Sequence, residues 1–157
     1  MESGAPIRVG VLGAAGRMGR TVCRAVDGAE GLILVAVADL AAAEEELDGV
    51  AKGIVVAASP AEVVEAGAEV VVDFTVADAS RANLPILAEA GVHAVVGTSG
   101  FDGDDLAGLR ASFTSSNCVV VPNFAIGAVL MIRFAEIAAP WFDTAEVLEF
   151  HLSLIHI

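Results

Sequence analysis

The sequence predicts an α/β fold with a doubly wound parallel sheet, and three observations carry that expectation. Short apolar runs alternate with helix-like stretches along almost the whole chain. The runs are apolar throughout, as in strands covered on both faces, rather than alternating with polar residues. Glycine, aspartate, threonine and asparagine recur just after the runs, where open parallel sheets bind their ligands. A chain of 157 residues also suffices for one domain with a real core, since folding at this size buries about two-thirds of the unfolded surface.

The elements follow in order. "IRVGVLG" (7–13) reads as a buried strand and "RMGRTVCRAV" (17–26) as the helix after it. "LILVAVAD" (32–39) is a second strand, and the acidic, alanine-rich "AAAEEELDGV" (41–50) has the composition of a helix. "GIVVAAS" (53–59) suits a short strand, after which Ser59 and Pro60 open a helix with a capping residue before proline. "EVVVDFT" (69–75) is a strand, followed by a helix over 77–90. "HAVVGTSG" (93–100) is a strand ending in a small-residue turn, and 102–112 is helical. "CVVVPNF" (118–124) is a strand, 126–142 a long helix, and 144–150 the start of one more strand. No internal repeat, low-complexity segment or linker interrupts the pattern.

Composition narrows the function. Apolar residues make up 56% and charged residues 18%, which excludes a disordered chain. Eight basic against 21 acidic residues give a net charge of −13, which argues against a nucleic-acid partner. Arg8, Arg17, Arg20 and Arg24 are half of the cations and fall in the first 24 residues, so an anion is expected beside the glycine-rich turn there. The stretch 1–6 does not look like a secretory signal, and no apolar run approaches the ~20 residues of a membrane span. Cys23 and Cys118 lack metal-ligand spacing and read as two buried free thiols. A cytoplasmic location, with no metal and no membrane partner, is the expectation.

The strand ends hold the chemistry. "GAAGRMG" follows a strand and opens a helix, with Gly13, Gly16 and Gly19 in a GxxGxxG variant of the dinucleotide-binding turn of Rossmann-like domains. Gly13 allows the tight turn, Gly16 lets a pyrophosphate approach the backbone, and Gly19 lets the helix pack close to the sheet. The helix dipole and its free N–H groups favour negative charge, and Arg17 and Arg20 add cations. Asp39 ends the second strand twenty residues after Gly19, where a carboxylate accepts hydrogen bonds from an adenosine ribose and repels a 2′-phosphate. That favours NADH over NADPH, although Arg17 could instead neutralise a phosphate. "GTSG" (97–100) and "PNF" (122–124) fall where a nicotinamide would lie, though each alone reads as a turn. Asp73 suits a helix cap, His93 a surface or satisfied core histidine, and Trp141 a packing residue.

Taken together, "IRVGVLGAAGRMGR", "VVDFT", "VVGTSGF", "VPNFAIGAVLM" and "AEVLEFH" resemble the amino-terminal part of the 4-hydroxy-tetrahydrodipicolinate reductases. The matching segments span nearly all of 7–151. The last of them argue against an aspartate or homoserine dehydrogenase with a similar cofactor domain. The resemblance implies that Gly13, Ala14, Ala15, Gly16, Arg17, Met18, Asp39, Gly97, Thr98, Ser99, Val121, Pro122, Asn123 and Phe124 line a nicotinamide cofactor. It implies reduction of a cyclic conjugated imine by NADH or NADPH, with loss of water, in the diaminopimelate route to lysine. Many members carry an arginine directly after the acidic residue; here Leu40 stands there, which favours NADH.

The resemblance also implies a domain plan. Residues 1–143 form the dinucleotide-binding domain, and 144–151 begin an α+β substrate and tetramerisation domain of which the rest is missing. His151 matches the first of two adjacent histidines proposed to act in proton transfer at the imine, as an imidazole titrating near neutrality can. Leu152 stands where the second would be, and the lysine and substrate loop that follow are lacking. The closing "LSLIHI" (152–157) matches the conceptual translation of a sequencing-library transposon adapter and reads as a non-native tail. The intact protein is expected to be a homotetramer acting on a small molecule, and this chain to bind cofactor without turnover; a stand-alone NAD(H)-binding module is the alternative.

Overall fold

A computed structural model describes residues 4–42, 47, 49–51, 53–121, 123–144 and 146. The chain divides into two compact units, Met1–Pro122 and Asn123–Ile157. The first holds β1 (Ile7–Leu12), α1 (Arg17–Asp27), β2 (Leu32–Ala38), β3 (Val56–Ala57), α2 (Pro60–Glu65), β4 (Val70–Asp73), α3 (Ala77–Glu89), β5 (His93–Val96), α4 (Gly103–Ser112) and β6 (Cys118–Val120). The second holds α5 (Ile126–Ala138) and a 3₁₀ turn, Ala139–Trp141.

The six strands form one sheet in the order β3-β2-β1-β4-β5-β6, every pairing parallel. This is the expected Rossmann-like doubly wound architecture, with the chain reversing its direction of travel across the sheet beside β1. The register aligns the strand ends. Leu12 pairs with Ala38 and Asp73, Asp73 with Val96, and Val96 with Val120. The residues that follow, Gly13, Asp39, Phe74, Gly97 and Val121, therefore emerge along one carboxyl edge.

The core lies on both faces of the sheet. Val11, Cys23, Val37, Leu47, Val50 and Val56 form one buried cluster, and Leu12, Val63, Val71, Leu84, Leu87 and Val96 the other. Adjacent Val11 and Leu12 fall in different clusters because side chains alternate across a strand. Each such side chain contributes about 1.5–3 kcal/mol when fully buried. Among the described residues, no helix is long and apolar enough to cross a membrane.

Several expected elements change. None of the described residues of 41–50 is helical: Ala41 and Ala42 lie in a turn or bend, as do Gly49 and Val50, with φ +70° at Gly49. Leu47 and Val50 are buried, while 43–46 and 48 lie outside the described residues. Strand β6 stops at Val120, after which the Val121 N–H donates to the Val96 carbonyl at 2.8 Å. The last long helix ends as an α-helix at Ala138 and tightens into the 3₁₀ turn around Pro140, whose ring disfavours a further α turn. Trp141, expected to pack, is 83% exposed. The expected strand over 144–150 lies largely outside the described residues.

Candidate functional site

The glycine turn is built as its spacing requires. Gly13 has φ +75°, and a Cβ there would meet the Phe74 carbonyl oxygen at 2.7 Å. Its N–H donates to the Ala38 carbonyl at 2.9 Å, and the Gly16 N–H donates back to the Gly13 carbonyl at 3.1 Å. A Cβ on Gly19 would overlap the Gly13 carbonyl oxygen, so only glycine lets α1 sit this close to the turn. At Gly16 a Cβ would meet nothing nearer than that oxygen, at 3.3 Å, which leaves its outer side open. Gly16 caps α1 without a side-chain acceptor, and helix geometry leaves first-turn amides such as those of Arg17 and Met18 for an acceptor from outside.

The four early arginines do not act together. The Arg20 Nε–H donates to the Ala15 carbonyl at 2.9 Å and braces the turn, while Arg17 is exposed beside it. Arg8 instead donates to the carbonyls of Gly67 and Ala66 at 2.8 and 2.7 Å, satisfying the end of α2. Arg24 lies in the last turn of α1. Of the expected cationic cluster, only Arg17 and Arg20 stand at the glycine turn.

Asp39 joins two elements. One carboxylate oxygen accepts the Ala15 N–H and the other the Ala41 N–H, each at 2.9 Å. The carboxylate therefore sits directly over the glycine turn. Beside it opens a cleft of about 370 Å³, lined by Gly13, Gly16, Asp39, Leu40, Ser59, Phe74, Thr75 and Asn83. An open glycine, unfilled helix amides and an anchored carboxylate on one apolar cleft fit the pyrophosphate and ribose of a dinucleotide.

Beyond the turn, the ends of β4 and β5 are tied by a buried network. Asp73 and Ser80 are fully buried and Thr98 is nearly so. One Asp73 oxygen accepts the Thr75 N–H at 2.8 Å and the Thr75 hydroxyl at 2.6 Å, and the other accepts the Ser80 hydroxyl at 2.9 Å. Asp73 is thus not a helix cap, since α3 is capped by Val76. The Phe74 ring lies against Gly97 so closely that a Cβ there would overlap it. Outside, Arg81 grips both Asp105 oxygens, Asp78 and the Gly100 carbonyl, and stands 5.9 Å from the centre of the Phe101 ring. The guanidinium and the Asp102 N–H hold the Asp105 carboxyl below its ordinary range.

The other expected site residues are distributed as follows. Ala14 is buried, Met18 and Ser99 are exposed, and Gly97 and Val121 are half-buried. Asn123 begins the second unit, its side-chain oxygen accepting the Ala125 N–H at 2.8 Å, and Phe124 beside it is 47% exposed. Pro122 and His151 lie outside the described residues. His93 is exposed and its Nδ1 accepts the Asn117 N–H at 3.0 Å, a satisfied surface histidine. Cys23 is buried and burial pushes its thiol up to about 11, while Cys118, also raised by burial, is only half-buried. Ser59, Phe74, Ser80 and Asn83 carried no sequence signal that set them apart from ordinary helix or turn residues.

Comparison with known proteins places the chain in a family. Residues 7–124 match the family described as dihydrodipicolinate reductase, N-terminus. The 4-hydroxy-tetrahydrodipicolinate reductase of Nocardia farcinica is 46% identical over 148 residues, covering 92% of this chain and 53% of that protein. The solved structure of dipicolinate-bound dihydrodipicolinate reductase from Paenisporosarcina sp. TG-14 is similar with TM-score 0.72 and 30% identity, covering 87% of this chain and 55% of that one. GenD2 from gentamicin A biosynthesis, solved in complex with NAD, shares the fold alone, with TM-score 0.66, 18% identity and coverage of 88% and 41%. The chain spans about half the length of the curated relatives it matches. On this evidence the chain belongs to the dihydrodipicolinate reductase family and matches its amino-terminal part.

Proposed function

We propose that this chain binds NADH or NADPH along the carboxyl edge of its sheet, as the cofactor-binding part of an enzyme that reduces 4-hydroxy-tetrahydrodipicolinate to tetrahydrodipicolinate. The observation that carries the reading is the junction of the open Gly16 turn, the uncapped start of α1 and the doubly anchored Asp39 on one cleft. In this reading Gly13, Ala14, Ala15, Gly16, Arg17 and Met18 cradle the pyrophosphate. Asp39 accepts from the adenosine ribose. Gly97, Thr98, Ser99, Val121, Pro122, Asn123 and Phe124 serve the nicotinamide end. When bound, the dinucleotide supplies the hydride that reduces the conjugated imine. His151 holds or delivers a proton at the imine nitrogen. Asp39 and Leu40 favour NADH, because a carboxylate repels a 2′-phosphate and leucine offers it no cation.

The intact protein is proposed to be a cytoplasmic homotetramer acting on this small molecule in diaminopimelate and lysine synthesis, with no nucleic-acid or membrane partner. A second reading, a stand-alone NAD(H)-binding module, is favoured by one fact: all the residues lining the cleft belong to the first unit. Titration of the 157-residue chain with NADH, followed by fluorescence, tests what both readings share; saturable binding is expected and its absence rejects both. An imine-reduction assay on the same sample tests the module reading further: binding with negligible turnover is expected of these residues, and measurable turnover would remove that reading.

A further inference from the structure

Beyond the cleft, we propose that Asp73 is a positioning residue for the nicotinamide end, acting by fixing the directions of three hydroxyl groups. The inference rests on the cofactor reading of the cleft. A carboxylate only accepts hydrogen bonds, whereas each hydroxyl donates one and can accept others. Asp73 takes the proton of Thr75 on one oxygen, at 2.6 Å, and that of Ser80 on the other, at 2.9 Å. Ser80 then has no second proton for Thr98, whose Oγ1 lies 2.9 Å from the Ser80 oxygen and 3.0 Å from the Thr75 carbonyl. The Thr98 hydroxyl must therefore donate inward, to the Thr75 carbonyl, to Ser80 or to the Asp73 Oδ1 3.5 Å away.

Two consequences follow for the loop after β5. The loop is fastened to the end of β4 through Thr98, a residue only 5% exposed, whose hydroxyl is turned inward. Its neighbour Ser99 is exposed and carries the free hydroxyl. Thr98 thus sets the position of Gly97 and Ser99 rather than touching the cofactor with its own side chain. Asp73 is the acceptor at which the chain of donors ends. The adenosine end, at Asp39, lies two strands away across β1 and does not share the network.

Isothermal titration of the 157-residue chain with NADH and with ADP-ribose, which lacks the nicotinamide, tests this. Asp73→Asn keeps the size but turns one acceptor into a donor, so at least one hydroxyl must reverse. It should weaken NADH about tenfold and change ADP-ribose by less than about twofold. Thr98→Val, which removes only the hydroxyl, should give the same split, and Thr98→Ser, which keeps it, should bind like the natural chain. The double variant Asp73→Asn with Thr98→Val should lose no more than either alone, because one chain of bonds is broken in both. Should Asp73→Asn fail to fold, the Thr98 pair carries the test. Equal weakening of both ligands, or unaltered NADH binding in Thr98→Val, would overturn the proposal. A natural chain that binds neither ligand would instead reject the cofactor reading on which it stands.

Discussion

Asp39 is held by two backbone amides, so substitution there alters charge and turn shape together. Asp39→Asn keeps one acceptor oxygen and removes the charge; NADH affinity should fall about tenfold, with a smaller loss for NADPH. Leu40 is 83% exposed on the cleft, and Leu40→Arg should tighten NADPH about tenfold through charge-assisted bonds to its 2′-phosphate. Paired fluorescence titrations read both effects, and an unmoved NADPH-to-NADH ratio would reject the assignment of Asp39 to the ribose. Cys23 gives a pH signature. Its thiol is pushed from 9.0 up to about 11 by burial, against the pull of Arg20 and Arg24. A folded-state value above the unfolded one means that the folded chain keeps its proton longer, so stability falls as pH rises from about 9 towards 11. The chain has no tyrosine and only Lys52 as a lysine, so the two cysteines dominate this window, Cys118 being raised by burial as well. Urea midpoints should decline across it, and Cys23→Ala should lessen the decline while lowering every midpoint. Gly13, Gly16, Gly19 and Asp39 were legible in the sequence because their spacing is local. Thr98 was named there only through the family resemblance and Asp73 as a helix cap; their network with Ser80 was not legible, since 25 residues separate the outer pair and only the β4–β5 register joins them.

At the scale of elements, the glycines of the first turn divide into packing and access. A Cβ on Gly19 would overlap the Gly13 carbonyl, whereas one on Gly16 would reach only open space and a single oxygen at 3.3 Å. Gly19→Ala should therefore destabilise the chain by about 1–3 kcal/mol, the usual range for overpacking. Gly16→Ala should leave the urea midpoint nearly unchanged and weaken NADH binding. Equal loss of stability in both would contradict this division. The strands and most helices could be read from the alternation of apolar runs and from local signals such as Ser59 before Pro60, where the Ser59 oxygen accepts the Glu62 N–H at 3.4 Å. The described residues of 41–50 depart from the same logic. Ala41, Ala42, Gly49 and Val50 lie in turns or bends and Leu47 and Val50 are buried, so packing there outweighs a propensity of tenths of a kcal/mol per residue. The end of α5 was missed more narrowly: Pro140 marked the break, but the apolar pattern runs on to Phe142.

At the scale of the whole molecule, α5 is the element whose sequence and surroundings disagree. It has no buried residue, and Ile126, Phe134 and Ile137 are 77%, 64% and 70% exposed. Apart from the paired Arg133 and Glu136 the helix is apolar, a composition that ordinarily seeks burial, and the curated relatives are about twice as long as this chain. What covers such a helix could not be read from its sequence, because periodicity reports which residues want burial and not what buries them. Two forces then compete. Exposed apolar surface of this kind drives association, while a net charge of −13 opposes it. Salt screens the charge, with a Debye length of about 10 Å at 0.1 M and about 3 Å at 1 M, and leaves the apolar attraction in place. The 157-residue chain should therefore bind a hydrophobic dye and exceed its 15.9 kDa monomer mass in light scattering, increasingly so as salt is raised. Substituting Phe134 and Ile137 together by glutamate should restore the monomer and leave NADH binding unchanged. A chain that stays monomeric and dye-free at high salt would mean that α5 is covered in solution by some other part of the same molecule.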